Sequence, residues 1–334
     1  MAVETPFREA RDVSTPIRDL GLTLEGTALG EVVGAFEAEV EALGIAVRPR
    51  CYLSTEWGVP FGTVAIAIPF YLANPELTAL HEERTGFVEG VDRADILRYL
   101  RHELGHVVNY AYRLFDREEW VEHFGAITQP YREEYRPKPF SRQFVRHLPG
   151  WYAQKHPDED WAETFAVWMT PGLDWRRDYA GWSGALAKLE YCDALTSSLR
   201  GETPAVTAAD LDEEVGSVGY SVGDFYSTGE ETGEPVPGLD GALRTLFEAA
   251  EGGSDGRPAA ALLRQLARSL PAEVYRWTGH FPEHTRALLA QMARRAEELG
   301  LVYAPAHEQR LERAAAVLVT ALAMSHVQTG SYLP

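Results

Sequence analysis

The sequence predicts an α+β fold: a small mixed or antiparallel sheet beside two helices that carry His and acidic side chains, followed by a C-terminal helical bundle. Three observations predict it. Two short apolar runs with strand character lie between residues 45 and 72, a long amphipathic helix begins near residue 93, and four more amphipathic stretches fill the chain after residue 239. The expected units are a catalytic-type domain over 1–200, an acidic, Gly-rich linker or excursion over 201–238, and a helical domain over 239–334.

Residues 1 to 15 are polar, with Pro6 and Pro16 nearby, and read as a loosely held arm. Val32, Val33, Phe36, Val40 and Leu43 recur at helical spacing, which predicts a helix over 29–43 ended by Gly44. Strand-like runs follow at 45–54 and 63–72, on either side of the turn-rich stretch from Trp57 to Gly62. In the second run Val64, Ile66, Ile68 and Phe70 alternate with Thr63, Ala65, Ala67 and Pro69, so one face is expected to be buried. Pro69 lacks an N–H and favours an edge or a strand end.

Asp92 is an N-cap candidate for a helix over 93–115. On that helix Leu97, Leu100, Leu104, Val107, Val108, Ala111 and Phe115 form one stripe, the core face. With Leu100 at zero, His102 and His106 fall at about 200° and 240°, away from the stripe, and Glu103 at about 300°. These residues spell His-Glu-x-x-His. Imidazoles four apart stand one above the other and can meet one tetrahedral Zn²⁺, while the glutamate between them faces the water that the metal acidifies to a pKa of roughly 7. Glu103 is then the general base. Gly105 costs the helix about 1 kcal/mol relative to Ala, which calls for a reason of packing or close approach.

A catalytic zinc needs a third protein ligand and an open position. It is expected on a second helix beginning near Asp158, where Trp161, Phe165 and Trp168 recur at helical spacing and small Ala162 and Ala166 permit close packing. Glu163 is the favoured ligand; its alternative role is a capping box with Asp160. Glu159, one turn earlier on nearly the same face, and His156 compete for the place. Asp160 fits either support of a ligand histidine or favourable charge at a helix start. The segment from 116 to 151 reads as ordered loop that builds cleft walls.

His102-Glu103-Leu104-Gly105-His106 together with the run from Asp158 to Pro171 resembles the bacterial zinc-binding metallopeptidases, a gluzincin-type group with a zincin-like core. Cys51 to Trp57, Ile66 to Leu72, His147 to Ala153, Lys188 to Asp193 and, weakly, Arg276 to Gly279 carry the same resemblance. It implies a glutamate third ligand, hence Glu163, and a peptidase-like core. In zinc peptidases of this kind an edge strand above the metal accepts substrate as an added strand, and 63–72 is the candidate, with an internal structural strand as the alternative. Two departures stand out. The chain lacks the cysteines for the N-terminal zinc ribbon of some members, and Val167 occupies the position, four after Glu163, where thermolysin-like enzymes place a histidine-orienting acid. For an oxyanion donor, lethal-factor-type toxins have a tyrosine seven residues before the ligand glutamate. This sequence has His156 there and Tyr152 one turn earlier, and both are candidates.

A net charge of −19 and a pI near 5.0 argue against nucleic acid or an anionic membrane as partner. Two cysteines, Cys51 and Cys192, make neither a disulfide framework nor a cysteine zinc site, and with no apolar segment long enough to span a bilayer the expectation is a soluble cytoplasmic protein. Residues 201–240 hold ten acidic and no basic side chains with seven glycines, the composition of a tether, although Val218 to Tyr226 has side chains able to pack. The C-terminal helices centre on Leu243, Leu262, Leu289 and Leu318; their histidines, His280, His284, His307 and His326, read as structural or surface residues. Three roles stand open for this bundle: binding a protein partner, shielding the cleft, or completing the fold. The expected activity is zinc-dependent hydrolysis of a peptide, protein or small-amide substrate by His102, Glu103, His106 and Glu163. The alternatives are a silent or autoinhibited zinc-binding regulatory module and a small-amide hydrolase of a biosynthetic pathway.

Overall fold

Gly105 and Ala162 mark the crossing of the two helices around which the N-terminal half is laid. The computed structural model describes residues 13–132, 135–227, 236–250 and 256–332. In chain order its elements are α1 (Ala28–Ala42), β1 (Arg50–Ser54), β2 (Ala65–Pro69), α2 (Pro75–Thr85), α3 (Arg93–Ala111), α4 (Glu118–Phe124), α5 (Pro157–Met169), α6 (Trp175–Asp178), α7 (Ser183–Ser198), α8 (Val222–Ser227), α9 (Leu239–Leu246), β3 (Glu248–Ala249), β4 (Arg257–Pro258), α10 (Ala259–Ser269), α11 (Pro271–Thr278), α12 (Pro282–Glu298), β5 (Leu301–Tyr303) and α13 (Glu308–Thr329). The protein is therefore mixed α+β, mostly helical, with small sheets and a helical C-terminal region.

Helix α3 starts where its cap requires, with the Asp92 carboxylate accepting the Asp95 N–H at 2.9 Å. It stops at Ala111, four residues short of the expected Phe115. The Asn109 side-chain oxygen takes the Phe115 N–H at 3.1 Å, and Arg113 turns into the left-handed region at φ 50°, which diverts the chain. Leu100, Leu104, Val107 and Val108 are buried against Phe36, Ile66, Ile68, Trp161 and Phe165 in one core. Each such side chain contributes about 1.5–3 kcal/mol by leaving water. A Cβ on Gly105 would lie 2.6 Å from Ala162 Cα, so only glycine lets α5 come this close, and Trp161 Nε1 donates to Gly105 O at 2.8 Å across the contact.

The sheet of this half is a parallel pair, with Arg50 opposite Ala65 and Ser54 opposite Pro69. All five residues of β2 are buried, where alternation in the sequence led to one buried face. The second face is covered from an unexpected source. Tyr52, Ala65 and Ala67 pack with Ala209 and Leu211, and Val64 N–H donates to Ala208 O at 2.8 Å. The acidic stretch thus begins as a strap laid on the sheet; the Ala205 N–H reaches Ala111 O at 2.7 Å, and the Tyr52 hydroxyl donates to Asp212 O at 3.0 Å. Backbone groups at a sheet margin need partners whatever the side-chain charge, and this segment supplies them. Farther on, Val218 and Val222 pack with Ile17, Phe70 and Tyr71; residues 228–235 of the expected linker, and 1–12 of the expected arm, lie outside the described residues.

The C-terminal region has a core of its own around Leu243, Leu262, Leu289, Met292 and Leu322. Beyond the four helices expected, it contains α11 and an antiparallel sheet in the order β3-β5-β4. It docks on the first half at the turn 149–154: Trp151 Nε1 donates to Trp277 O at 3.1 Å, and a Cβ on Gly150 would strike the Tyr275 ring at 2.5 Å. Among the described residues no helix is long and apolar enough to cross a membrane.

Candidate metal centre

Both helices bring their polar faces to the floor of a cleft of about 400 Å³ lined by Trp57, Val59, Glu103, Tyr131 and Tyr152, among others. His102 and His106 project from α3 and Glu159 from the first turn of α5, all three buried. His102 Nε2 lies 3.0 Å from Glu159 Oε2, His106 Nε2 lies 3.2 Å from the same oxygen, and the two Nε2 atoms are 3.2 Å apart. A tetrahedral zinc with bonds of about 2.0–2.1 Å separates its ligands by about 3.3 Å. The trio therefore has the spacing of one face of such a site, and its three residues line the same cleft as Glu103.

Glu163 stands one turn beyond this trio. Its Oε1 is 2.9 Å from His102 Nδ1, while Oε2 accepts the N–H groups of His147 at 3.2 Å and Leu148 at 2.9 Å. The carboxylate positioned with both histidines to hold a metal is thus that of Glu159, and Glu163, the expected ligand, stands at the far edge of the His102 ring. Asp158 has the corresponding place beside His106: its Oδ2 lies 3.0 Å from Nδ1, although off the line of a hydrogen bond, and it accepts the Tyr110 hydroxyl at 2.5 Å and Asn109 Nδ2 at 2.7 Å. Asp160 turns away from the histidines to meet Lys188 Nζ at 2.5 Å.

His156 caps α5. Its Nδ1 accepts the Asp158 N–H at 3.2 Å, which makes Nε2 the protonated nitrogen, directed to Gln129 O at 3.0 Å. Both ring nitrogens are committed to main-chain groups. Tyr152 instead faces the centre, its ring 5.6 Å from that of His102 and its hydroxyl 3.3 Å from the Tyr131 hydroxyl, which donates to Glu159 Oε1 at 2.7 Å. The 57–61 segment forms the opposite wall: Gly58 O takes the Ala67 N–H at 2.8 Å, so this segment lies alongside β2 and occupies the place where an added strand would pair. Asp158, Tyr110 and Tyr131 were not singled out beforehand. Tyr110 had a signal, being four residues after His106 on the same helical face; Tyr131, in a loop, had none.

Burial opposes charge on the His102 ring, but Glu159 and Glu163 overcome it and raise the group to about 9. The same contest, with Asp158 and Glu159 as the acids, raises His106 well above its ordinary value. Burial works against ionised Glu159 too, and the two imidazoles hold it well below the usual carboxylate range. Glu103, buried and without so close a cation, is raised. The centre is therefore short of positive charge, and two imidazole nitrogens and a carboxylate oxygen aimed at one point suit a divalent cation such as zinc.

Residues 68–173, from within β2 to just past α5, match the model of a family described as "Putative zinc-binding metallo-peptidase". No curated protein and no solved structure matches the chain.

Proposed function

We propose, for a chain whose residues 68–173 carry the pattern of zinc-binding metallo-peptidases, a zinc-dependent hydrolase of peptide or amide bonds in which His102, His106 and Glu159 hold the metal. The observation that carries this reading is the convergence of those three donor atoms on the floor of a cleft. Counting from Glu159 also supports it. The histidine-orienting acid that gluzincins place four residues after the ligand is then Glu163, and the tyrosine that lethal-factor-type toxins place seven before it is Tyr152. Both offsets miss when counted from Glu163.

Zinc, when bound, supplies Lewis acidity that polarises a carbonyl and acidifies water. Glu103 takes the proton of the attacking water and returns it to the leaving amine, a role its buried position at the cleft favours by keeping the carboxyl basic. Glu163 orients the His102 imidazole through its hydrogen bond to Nδ1 and keeps Nε2 for the metal, while the Asp158 carboxylate beside His106 Nδ1 contributes its charge. Tyr131 gives its one O–H to Glu159 and so accepts that of Tyr152; the Tyr152 hydroxyl turns from this contact to donate to the oxyanion. Substrate backbone lies against 57–61 instead of β2.

The test is mass-spectrometric profiling of a diverse peptide library with the zinc-loaded protein beside Glu103→Gln. Cleavage by the parent alone supports the reading. Zinc bound by both with cleavage by neither removes the peptidase and favours the regulatory or small-amide alternatives.

A further inference from the structure

On the other side of Glu163 from the metal cleft lies a second depression, of about 560 Å³, that shares no lining residue with the first. Its charged lining residues are Arg98, Arg101, Arg146 and Arg276, with Trp151 and Trp277 among its apolar ones and no carboxylate among them. In a chain of net charge −19 this is a local inversion of sign. Three of the arginines have acids behind them, outside the lining: Asp95 at 3.1 Å from Arg98, Glu39 at 2.8 Å from Arg101 and Glu273 at 3.7 Å from Arg276. Arg146 is different. Among the described residues its recorded neighbours are rings: its guanidinium carbon lies 4.3 Å from the Trp151 centroid, 5.5 Å from Trp277 and 5.8 Å from Phe140. Stacked guanidinium keeps its in-plane N–H donors for a carboxylate.

The margin of the depression is as unusual as its floor. Phe140 is 63 % exposed and Trp277 46 %, with Leu173 at 37 %. Phe140 is held there at φ 61°, a left-handed conformation that costs a non-glycine residue about 1 kcal/mol or more. That conformation sets the Phe140 ring edge-on to Trp151, centroids 4.9 Å apart, and leaves its other side open to solvent. Arginine and tryptophan together, with apolar side chains standing open around them, are the composition of an interface centre.

We propose that this face is a docking site for an acidic polypeptide segment carrying apolar side chains: its carboxylates meet Arg146 and Arg276, and its apolar side chains lie on Trp277 and Phe140. The occupant is an acidic segment because every charged lining group is cationic, and a polypeptide because the aromatic rings flank the depression without enclosing it. The site stands whether or not the metal centre hydrolyses peptides.

Fluorescence anisotropy of a fluorescein-labelled peptide of alternating glutamate and leucine tests it, with a glutamine-for-glutamate peptide as control. The full-length protein is expected to bind the acidic peptide with micromolar Kd and the control at least about tenfold more weakly. Arg146→Gln and, separately, Trp277→Ala each weaken binding about tenfold. Because Arg146→Gln removes a stacking partner of Trp151, Arg276→Gln serves as a second charge variant, exposed and away from that stack, with a loss of about threefold or more. Absence of binding overturns the proposal, as does equal binding of both peptides or indifference to the three substitutions. Displacement of the peptide by a nucleoside triphosphate that itself binds more tightly overturns it in favour of a nucleotide.

Discussion

Glu159 and Glu163, one helical turn apart, grip opposite nitrogens of a single imidazole: Glu159 Oε2 lies 3.0 Å from His102 Nε2 and Glu163 Oε1 2.9 Å from Nδ1. A metal can take only one edge of that ring, so the two acids have different work. Glu159 shares its edge with His106, and Glu163 has two backbone N–H groups on its second oxygen.

Zinc affinity is expected to separate them. On the proposed roles, Glu163→Gln, which removes an orienting carboxylate, lowers zinc affinity about 10- to 100-fold, and Glu159→Gln, which removes a charged ligand, lowers it further. Competition against a fluorescent zinc chelator measures both; the reverse order would return the ligand role to Glu163.

Gly105→Ala is expected to destabilise the fold by about 1–3 kcal/mol, although alanine is the better helix former by about 1 kcal/mol. The added carbon meets the Ala162 backbone, and α5 must move away with Glu159 on it. Urea denaturation reads the first effect, and zinc titration of the variant the second. A stability gain would mean that the helices do not cross this closely.

Tyr152→Phe keeps the ring against His102 and removes the hydroxyl. Turnover on whichever substrate the library yields is expected to fall about 100-fold in kcat, with KM and zinc stoichiometry little changed. An unaltered kcat would leave the oxyanion to another donor.

Burial, reinforced by the charge of Glu103, raises the Glu89 carboxyl to about 7. A carboxyl with a folded value above its unfolded one binds its proton more tightly in the native state, so its contribution is full below about pH 4.5 and is lost as pH rises through about 7. Glu89→Gln removes that loss. The urea midpoint of the parent is expected to fall between pH 5 and 7.5 more steeply than that of the variant; parallel profiles would sink the assignment.

The His-Glu-x-x-His helix was legible because everything that defines it is local: a cap at Asp92, one apolar stripe and two histidines opposite it. Gly105 was legible as a close approach, and the partner helix with its small residues as the element approaching. The choice between Glu159 and Glu163 was not, since both share a helical face and only the sliding of α5 along α3 decides which carboxylate stands level with Nε2. The small alternate residues of β2 looked like a solvent face because Ala65 and Ala67 are covered by Ala209 and Leu211, more than a hundred positions later, in a stretch whose charge suggested a tether. The role of His156 was hidden for a similar reason, as capping from an imidazole nitrogen depends on the turn before Pro157 and leaves no periodic trace.

Tyr152 sits on a turn whose two preceding residues, Gly150 and Trp151, both adopt left-handed backbone angles, φ 79° and 64°. That turn is clasped by the Tyr275 ring and the Trp277 carbonyl. The clasp is encoded more than a hundred codons downstream of the tyrosine it steadies. A ribosome that has made His102, Glu103, His106, Glu159 and Glu163 has made a cleft still missing this support. A chain cut short before helix α11 therefore carries the residues of the candidate centre without the clasp that fixes Tyr152 beside them.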